Sequence, residues 1–158
     1  MFIISCQREN QIPKIKKEIF KESVAVGLPI IKEIDQKGGV IEIALSESRV
    51  SFNPNSVSKN TTVSIQPISN PLSNFGLGIR LASHYSNIKI ELKYPQNGLS
   101  PNTFDIYYAQ GIEWIKAENK ILDTVNHTIS IVQQPTSKAK INSSARVTTH
   151  FYDYIIGK

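Results

Sequence analysis

The sequence predicts an all-β protein, an antiparallel β-sandwich, on three observations. Apolar and polar residues alternate through most of residues 40–156, and a period of two is typical of half-buried strands. Clusters of Gly, Pro, Asn and Ser separate the alternating runs, as turns do. Ile, Val, Thr and Tyr are frequent, whereas the helix formers Leu, Ala and Glu are not dominant. Many short strands at such spacing favour a sandwich or barrel.

The stretch 38–67 shows these features most clearly. Two glycines open it, and an apolar run broken by Glu42 follows. Pro54-Asn55-Ser56 predicts a turn, in which Asn55 tolerates the left-handed conformation. Along the whole chain the alternating runs are 40–45, 49–53, 62–66, 77–81, 88–94, 104–109, 112–116, 120–124, 128–132 and 146–156.

Upstream of these runs, Ser23 to Gly27 predicts a first strand, and Pro29 limits any helix around it. Ile12, Ile15 and Ile19 are spaced as on one helix face, so the segment before Ser23 is either a short helix or a tether. The chain therefore divides into an N-terminal segment, residues 1–22, and one sandwich domain, residues 23–158. A chain of 158 residues suits a single domain of this kind.

The first residues, Ile3-Ile4-Ser5-Cys6, resemble a bacterial lipobox, and the polar residues 7–11 follow as a tether would. The resemblance implies cleavage before Cys6 and lipidation of its thiol. Only five residues precede Cys6 and none is basic, so a working signal requires translation to start upstream of Met1. On that condition the expected location is the cell envelope, in the outer membrane or at the surface; otherwise it is the cytoplasm.

The net charge is +5, but the excess basic residues lie at the two chain ends, and residues 38–137 hold seven basic and seven acidic residues. A nucleic-acid binder concentrates its charge on one working face, so no nucleic-acid partner is expected. The single cysteine excludes an internal disulfide and a cysteine-based metal cluster. No apolar run approaches the ~20 residues that span a membrane.

Several motifs occur in the order of a known family. Phe52-Asn53-Pro54-Asn55-Ser56 and Thr61-Thr62-Val63-Ser64-Ile65 open the series, which continues through Arg80-Leu81, the hairpin with Gly111 and Trp114, Leu122-Asp123, and His150-Phe151-Tyr152-Asp153. The series resembles the Ig-like "ZU-five" β-sandwich domain of zonula occludens proteins, netrin receptors and ankyrins, and especially its bacterial surface-lipoprotein branch. The likeness covers about residues 24–155.

The resemblance implies structural roles for eight residues: Pro54, Thr62, Arg80, Trp114, Asp123, His150, Phe151 and Asp153. It also implies an insertion at 133–146, which we interpret as a long hairpin loop or an additional edge strand.

Chemistry-bearing residues form no recognisable catalytic motif, so no enzyme, cofactor or metal is expected. His84 and His127 are interpreted as turn residues, and no histidine spacing matches a zinc site. Five carboxylates could in principle supply a glycosidase pair, but a solvated strand face explains each: Glu91, Asp105, Glu113, Glu118 and Asp123. Five aromatic residues could form a sugar-stacking platform, although core packing is the commoner use: Tyr85, Tyr94, Tyr107, Tyr108 and Trp114.

Two functions remain open. The first is a non-enzymatic envelope lipoprotein, expected to be monomeric, that binds a protein or glycan or supports an assembly. The second is a carbohydrate-binding or glycan-processing accessory protein that uses exposed aromatic side chains. Because Tyr107 and Tyr108 are adjacent, they point to opposite faces of a strand, and only one can face outward.

Overall fold

The computed structural model describes residues 23–71, 73, 75–110, 113–133 and 152–157. These residues form twelve β-strands and two short 3₁₀ turns at Ala44–Ser46 and Pro101–Thr103. The strands are β1 Val24–Ala25, β2 Ile30–Ile34, β3 Gly39–Ile43, β4 Ser48–Phe52, β5 Thr61–Ser69, β6 Gly78–Leu81, β7 Ile88–Lys93, β8 Asp105–Gln110, β9 Glu113–Lys116, β10 Ile121–Asp123, β11 Thr128–Gln133 and β12 Tyr152–Gly157.

Seven of the strands form one antiparallel sheet in the order β1-β5-β6-β12-β8-β9. The seventh, β2, pairs with β5 beside β1, so β1 and β2 are two pieces of the same sheet edge. The pieces are separated at Gly27, whose φ of 72° is a left-handed conformation that suits glycine.

The other five strands form a second antiparallel sheet in the order β10-β11-β7-β4-β3. The chain passes from one sheet to the other through the tight turn between β2 and β3, closed by a hydrogen bond from Gly38 N to Asp35 O at 3.0 Å. Only glycine fits at position 38, because a Cβ there would lie 2.1 Å from Phe52 O. Of the two glycines that open the stretch 38–67, Gly38 is therefore the one that the crossing between sheets requires.

The core lies between the two sheets. In β7 the side chains of Ile88, Ile90 and Leu92 are buried while those between them are half-exposed, which is the expected alternation. The inward residues of both sheets join one hydrophobic cluster, which includes Val63 and Ile65 from the seven-stranded sheet. Burying each such side chain stabilises the fold by about 1.5–3 kcal/mol relative to leaving it in water.

The predicted antiparallel β-sandwich is confirmed. Most predicted runs match strands to within a few residues, and Asn55 has the left-handed φ of 65° expected for the turn at Pro54. The candidate helix or tether in 12–22, the insertion at 133–146 except Gln133, and the first part of the run 146–156 lie outside the described residues.

Two strands differ from the sequence prediction. Strand β2 was not predicted, since Ile30–Ile34 is not an alternating run, and β5 continues past Gln66 to Ser69. Pro67 is compatible with the longer strand because its carbonyl still accepts from Val26 N at 2.8 Å and from the side-chain amide of Gln66 at 3.1 Å.

Candidate functional site: the outward face of the seven-stranded sheet

Side chains that point away from the core on the seven-stranded sheet define one surface, called the outward face below. Since Ile79, Leu81 and Tyr154 belong to the core cluster, their neighbours along the same strands point outward. The outward face comprises Gln66, Ile68, Gly78, Arg80, Asp105, Tyr107, Trp114, Lys116, Asp153 and Ile155.

An ion pair lies at the centre of this face. Arg80 on β6 is directly opposite Asp153 on β12, and its Nε and Nη2 donate to the two carboxylate oxygens at 2.6 and 2.9 Å. The same Nη2 donates to Ser23 O at 3.1 Å, which fixes the start of β1 to the sheet. A bidentate guanidinium–carboxylate pair has a fixed geometry, so it holds β6 and β12 in register.

Apolar side chains flank the ion pair. Ile68 and Ile155 are 0% and 3% exposed, yet neither belongs to the core cluster between the sheets. Ile155 fills the space above Gly78, because a Cβ on Gly78 would lie 2.9 Å from its Cγ2. The outward face is therefore packed with apolar atoms around a charged centre, unlike a solvated sheet surface.

Two aromatic residues lie on the same face. Tyr107 on β8 packs over Gly157, where an added Cβ would lie 2.8 Å from its ring, and Trp114 follows on the neighbouring strand β9. Both side chains are half-buried. Burial raises the pKa of Tyr107, and the nearby Asp105 carboxylate raises it further.

Asp105 is held by two lysines at the end of this face. Its carboxylate oxygens lie 2.7 Å from Lys116 Nζ and 2.8 Å from Lys120 Nζ. Burial alone would raise the pKa of Asp105, but the hydrogen bonds and positive charges of the two lysines outweigh burial and lower it. The solvated role expected for Asp105 is wrong, because its side chain is buried and ion-paired.

The remaining carboxylates of the hypothetical glycosidase pair are dispersed. Glu91 lies on the other sheet and pairs with Lys89 at 3.0 Å, while Glu118 is exposed in the turn between β9 and β10. Asp123 begins the turn to β11, accepting from the backbone N–H of Asn126 at 2.9 Å and from its side-chain amide at 2.7 Å. These hydrogen bonds close the turn, and they also lower the pKa of Asp123. Glu113 is the first residue of β9, and its side chain lies outside the described part of the structure.

The structure separates the five aromatic residues of the sugar-platform hypothesis. Tyr85 packs edge-on against Phe52, and Tyr94 stacks on Phe104, each with ring centroids 5.3 Å apart. Tyr108 packs against the core beside Tyr154. Only Tyr107 and Trp114 lie on the outward face, and the expected opposite orientations of Tyr107 and Tyr108 are confirmed.

Among the eight residues of the family resemblance, Arg80, Trp114 and Asp153 meet on the outward face. Pro54 lies in the exposed turn after β4, and Thr62 on β5 donates to Glu33 Oε1 at 2.5 Å. Asp123 is the last residue of β10, where the turn to β11 begins at the end of the other sheet. His150 and Phe151, like the lipidation candidate Cys6, lie outside the described residues.

Of the two described histidines, His127 is a turn residue, as predicted, and His84 lies in a loop. His127 has the left-handed φ of 54°, and its ring packs edge-on against Tyr94. His84 is exposed in the loop after β6, with Nε2 3.0 Å from Gln133 Nε2. Within the described ranges, no three His, Cys, Asp or Glu side chains are grouped so that they could hold a metal ion.

The described part of the chain also has open depressions. One, of about 230 Å³, lies on the five-stranded sheet between Glu42, Glu47, Arg49 and Glu91. Another, of about 390 Å³, lies beside the turn at Asp35–Lys37 and the loop at Ser58–Asn60. Both are open to solvent and have mixed polar and apolar linings, unlike the enclosed, mostly apolar pockets that bind small molecules.

Sequence reasoning did not predict that Arg80 and Asp153 form an ion pair. Arg80 and Asp153 are 73 residues apart, and no local pattern joins them. One signal was available: Tyr154-Ile155-Ile156 is apolar on both strand faces, which is typical of a strand buried on both sides.

Comparison with known proteins adds no family to this description. No protein-family model matches the chain, and no curated protein matches it.

Among the described residues, no helix has the length and apolar character needed to cross a membrane. The fold and the face define an antiparallel β-sandwich with one packed, aromatic outward surface.

Proposed function

We propose that this chain is a non-enzymatic binding or structural module of the bacterial cell envelope, held to a membrane by a lipid on Cys6. The observation that carries the proposal is the convergence of Arg80, Asp153, Tyr107 and Trp114 on one outward face. The half-exposed rings of Tyr107 and Trp114 offer contact to a protein or glycan surface, and the enclosed Arg80–Asp153 pair fixes the strands beside them.

The disposition of the carboxylates supports a binding role over a catalytic one. Asp105 is ion-paired to two lysines, and the Asp123 carboxylate accepts hydrogen bonds within its turn. Glu91 lies on the opposite sheet from Asp105 and pairs with Lys89. A glycosidase needs two carboxyl groups about 5–9.5 Å apart across one bond, with one of them kept protonated. The lysines beside Asp105 favour its ionised form instead.

Lipid attachment is tested in the native cell with the reading frame upstream of Met1 intact. Labelled fatty acid should enter the wild-type protein and not the Cys6→Ala variant, and the label should follow the membrane fraction. One acyl chain anchors a protein only marginally, whereas several make the attachment stable. Equal labelling of the two proteins, or an unlabelled soluble wild type, would contradict the proposal.

A carbohydrate-binding function is the second candidate, favoured by Tyr107 and Trp114 on neighbouring strands of one face. Aromatic rings on a flat sheet surface can stack on sugar rings, as they do on other planar partners. A glycan array with the wild type, Trp114→Ala and Tyr107→Ala should then show binding that both substitutions weaken. His84→Ala, which alters an exposed ring in a loop away from this face, is the matched control. Binding that survives both substitutions would exclude this candidate.

A further inference from the structure

The outward face of the seven-stranded sheet has a buried row of residues, although the core lies on the other side of that sheet. The strand pairings set five residues side by side across the sheet, called the outward row below: Ala25, Ile68, Gly78, Ile155 and Tyr107. In the outward row, Ile68 and Ile155 are 0% and 3% exposed, and Gly78 is also buried. The outward face of an antiparallel sheet is ordinarily solvated, so this burial requires an explanation.

The neighbours of Ile68 across the sheet are too small to bury it. Ala25 lies beside it on β1, and Gly78, which has no side chain, lies beside it on β6. Along β5, the side-chain amide of Gln66 donates to Val26 O at 3.1 Å and so points to the sheet edge. A fully buried side chain has apolar atoms above it as well as beside it. The outward row therefore requires a covering segment that crosses the strands from β5 to β12.

The chain enters this face at Ser23, just before β1. Ser23 is 7% exposed, and its hydroxyl accepts a hydrogen bond from Asn70 Nδ2 at 2.9 Å. Its carbonyl oxygen accepts from Arg80 Nη2 at 3.1 Å. Because Arg80 is on β6, two strands in from β1, Ser23 lies over the sheet and not beyond its edge. The segment that precedes Ser23 thus joins the described molecule above the outward face.

The sequence of that segment matches the outward row in pattern and length. Ile12, Ile15 and Ile19 recur on one side of a helix, and two of the three lysines between them fall on the other side. In a helix that ends at Ser23, Ile19 and Ile15 lie about 6 and 12 Å back along the axis. Adjacent strands are about 4.8 Å apart, so these distances, counted from β5, correspond to β6 and β12.

We propose that residues 12–22 form an amphipathic helix that docks on the outward face, with Ile19 and Ile15 packed on the outward row between Ile68 and Ile155. The connection between β11 and β12 is a poorer occupant, because Ile141 is the only large aliphatic residue in 134–146. The Arg80 guanidinium also favours the proposed helix, since a cation beside the last carbonyl groups of a helix is stabilising. The docking depends neither on a ligand of the outward face nor on a lipid at Cys6.

The docked helix has a consequence for the proposed binding role, and this consequence rests on that role. It covers Ile68 and Ile155 but leaves Tyr107 and Trp114, toward the β8–β9 side, as the half-exposed contact residues. Residues 7–11 are then the only link between a lipid on Cys6 and the docked helix, and such a link spans about 20 Å at most. The outward face would therefore be held close to the membrane surface.

Thiol accessibility in the full chain with Cys6→Ser tests the docking. We expect the thiol of Ile155→Cys to react slowly with a maleimide, and the further changes Ile15→Lys and Ile19→Lys to speed the reaction at least about tenfold, because charged side chains cannot pack on the outward row. The control, Lys14→Ser with Lys17→Ser, alters the polar side of the same helix and should leave the rate within about twofold.

Two results would overturn the proposal: a fast reaction of Ile155→Cys alone, or a slow one that the two lysine substitutions leave unchanged. Ile68→Cys provides a second position in the outward row and should respond in the same way if Ile155→Cys impairs folding. Far-UV circular dichroism confirms that each variant is folded.

Disulfide formation identifies the covering segment. In the Cys6→Ser background, Ile15→Cys with Ile155→Cys should form an intramolecular disulfide under mild oxidation, read by intact mass. Ile15→Cys with Ile121→Cys, on β10 of the other sheet, is the control and should stay reduced. A disulfide in Ile141→Cys with Ile155→Cys, in place of the first pair, would assign the cover to the β11–β12 connection and reject the proposal. Neither measurement involves a ligand or a lipid, so its failure is distinct from failure of the proposed function.

Discussion

The outward surfaces of the two sheets both carry ion pairs, but the pairs differ in how far water reaches them. On the five-stranded sheet, the pairs Glu42–Arg49 at 3.1 Å and Lys93–Glu47 at 3.8 Å are exposed to water, and Lys89–Glu91 at 3.0 Å is partly exposed. On the seven-stranded sheet, the Arg80–Asp153 pair is more enclosed, with side chains that are 21% and 5% exposed. The first surface is solvated and the second is packed.

The difference in exposure predicts on which sheet the removal of one charged side chain will destabilise the fold. Exposed ion pairs gain little, because water screens them and side-chain entropy opposes them. An enclosed pair contributes little net stability as a pair, but removing one partner leaves a charge that water cannot solvate. We therefore expect similar substitutions on the two faces to have effects that differ by several kcal/mol.

Arg80→Ala should cause the largest loss. It removes both hydrogen bonds to the Asp153 carboxylate and the bond to Ser23 O, and it leaves the carboxylate enclosed. The free energy of unfolding should fall by about 3–5 kcal/mol, measured by urea denaturation. Arg49→Ala on the other sheet is the matched control and should change it by less than about 0.5 kcal/mol.

Replacing both charges at once separates the ion pair from general packing. The double variant Arg80→Met with Asp153→Leu should be clearly more stable than Arg80→Ala, since no charge remains enclosed. If Arg80→Ala instead behaved like Arg49→Ala, the outward face would be as solvated as the opposite sheet.

Gly78→Ala should have the next largest effect. A Cβ at this position would lie 2.2 Å from the carbonyl oxygen of Tyr154, a backbone atom that cannot move without shifting β12. We expect a loss of about 1–3 kcal/mol in the free energy of unfolding. The control is Gly39→Ala on the other sheet, where the nearest atom is the flexible end of Ile34 at 3.2 Å. Equal losses for the two variants would show that the outward face is not closely packed at β6 and β12.

The sandwich itself was predictable because its strands carry their environment in their sequence. Ile88–Lys93 alternates strictly, and the structure buries its alternate residues. Asn55 predicted a left-handed turn residue, since few other residues adopt that conformation. Strand β2 escaped prediction because its polarity does not alternate: Ile30 and Ile34 pack against the core, but Lys32 between them is exposed, and so is the apolar Ile31.

The candidate site was only partly predictable. Arg80, Trp114 and Asp153 were identified through the resemblance as separate structural residues. Their meeting on one face depends on β12 pairing with both β6 and β8, which is a long-range property of the topology. The enclosure of Asp105 by Lys116 and Lys120 also depends on how β8, β9 and the following turn meet, so a solvated carboxylate was the natural interpretation.

Asp105 should make the stability of the outward face sensitive to acid. Its pKa is lowered in the folded protein, so it contributes stability above the unfolded-state pKa, and that stability is lost as pH falls through the folded value. Asp105→Asn should therefore flatten the fall in the free energy of unfolding below about pH 4. Glu118→Gln, which removes an exposed carboxylate, is the control for the loss of one acidic side chain. An unchanged slope in Asp105→Asn would show that its lysine contacts do not favour the ionised form.

The smallest effect should come from the Glu42–Arg49 pair on the five-stranded sheet. The two residues are directly opposite on β3 and β4, and their side chains are 71% and 49% exposed. Arg49 also faces Glu91 across β7, so it can exchange one carboxylate neighbour for another when Glu42 is removed. A double-mutant cycle with Glu42→Ala and Arg49→Ala should give a coupling energy below about 0.5 kcal/mol, and added salt should reduce it further. A coupling above about 1.5 kcal/mol that persists in salt would mean that this surface is desolvated, and the contrast between the two sheets would not hold.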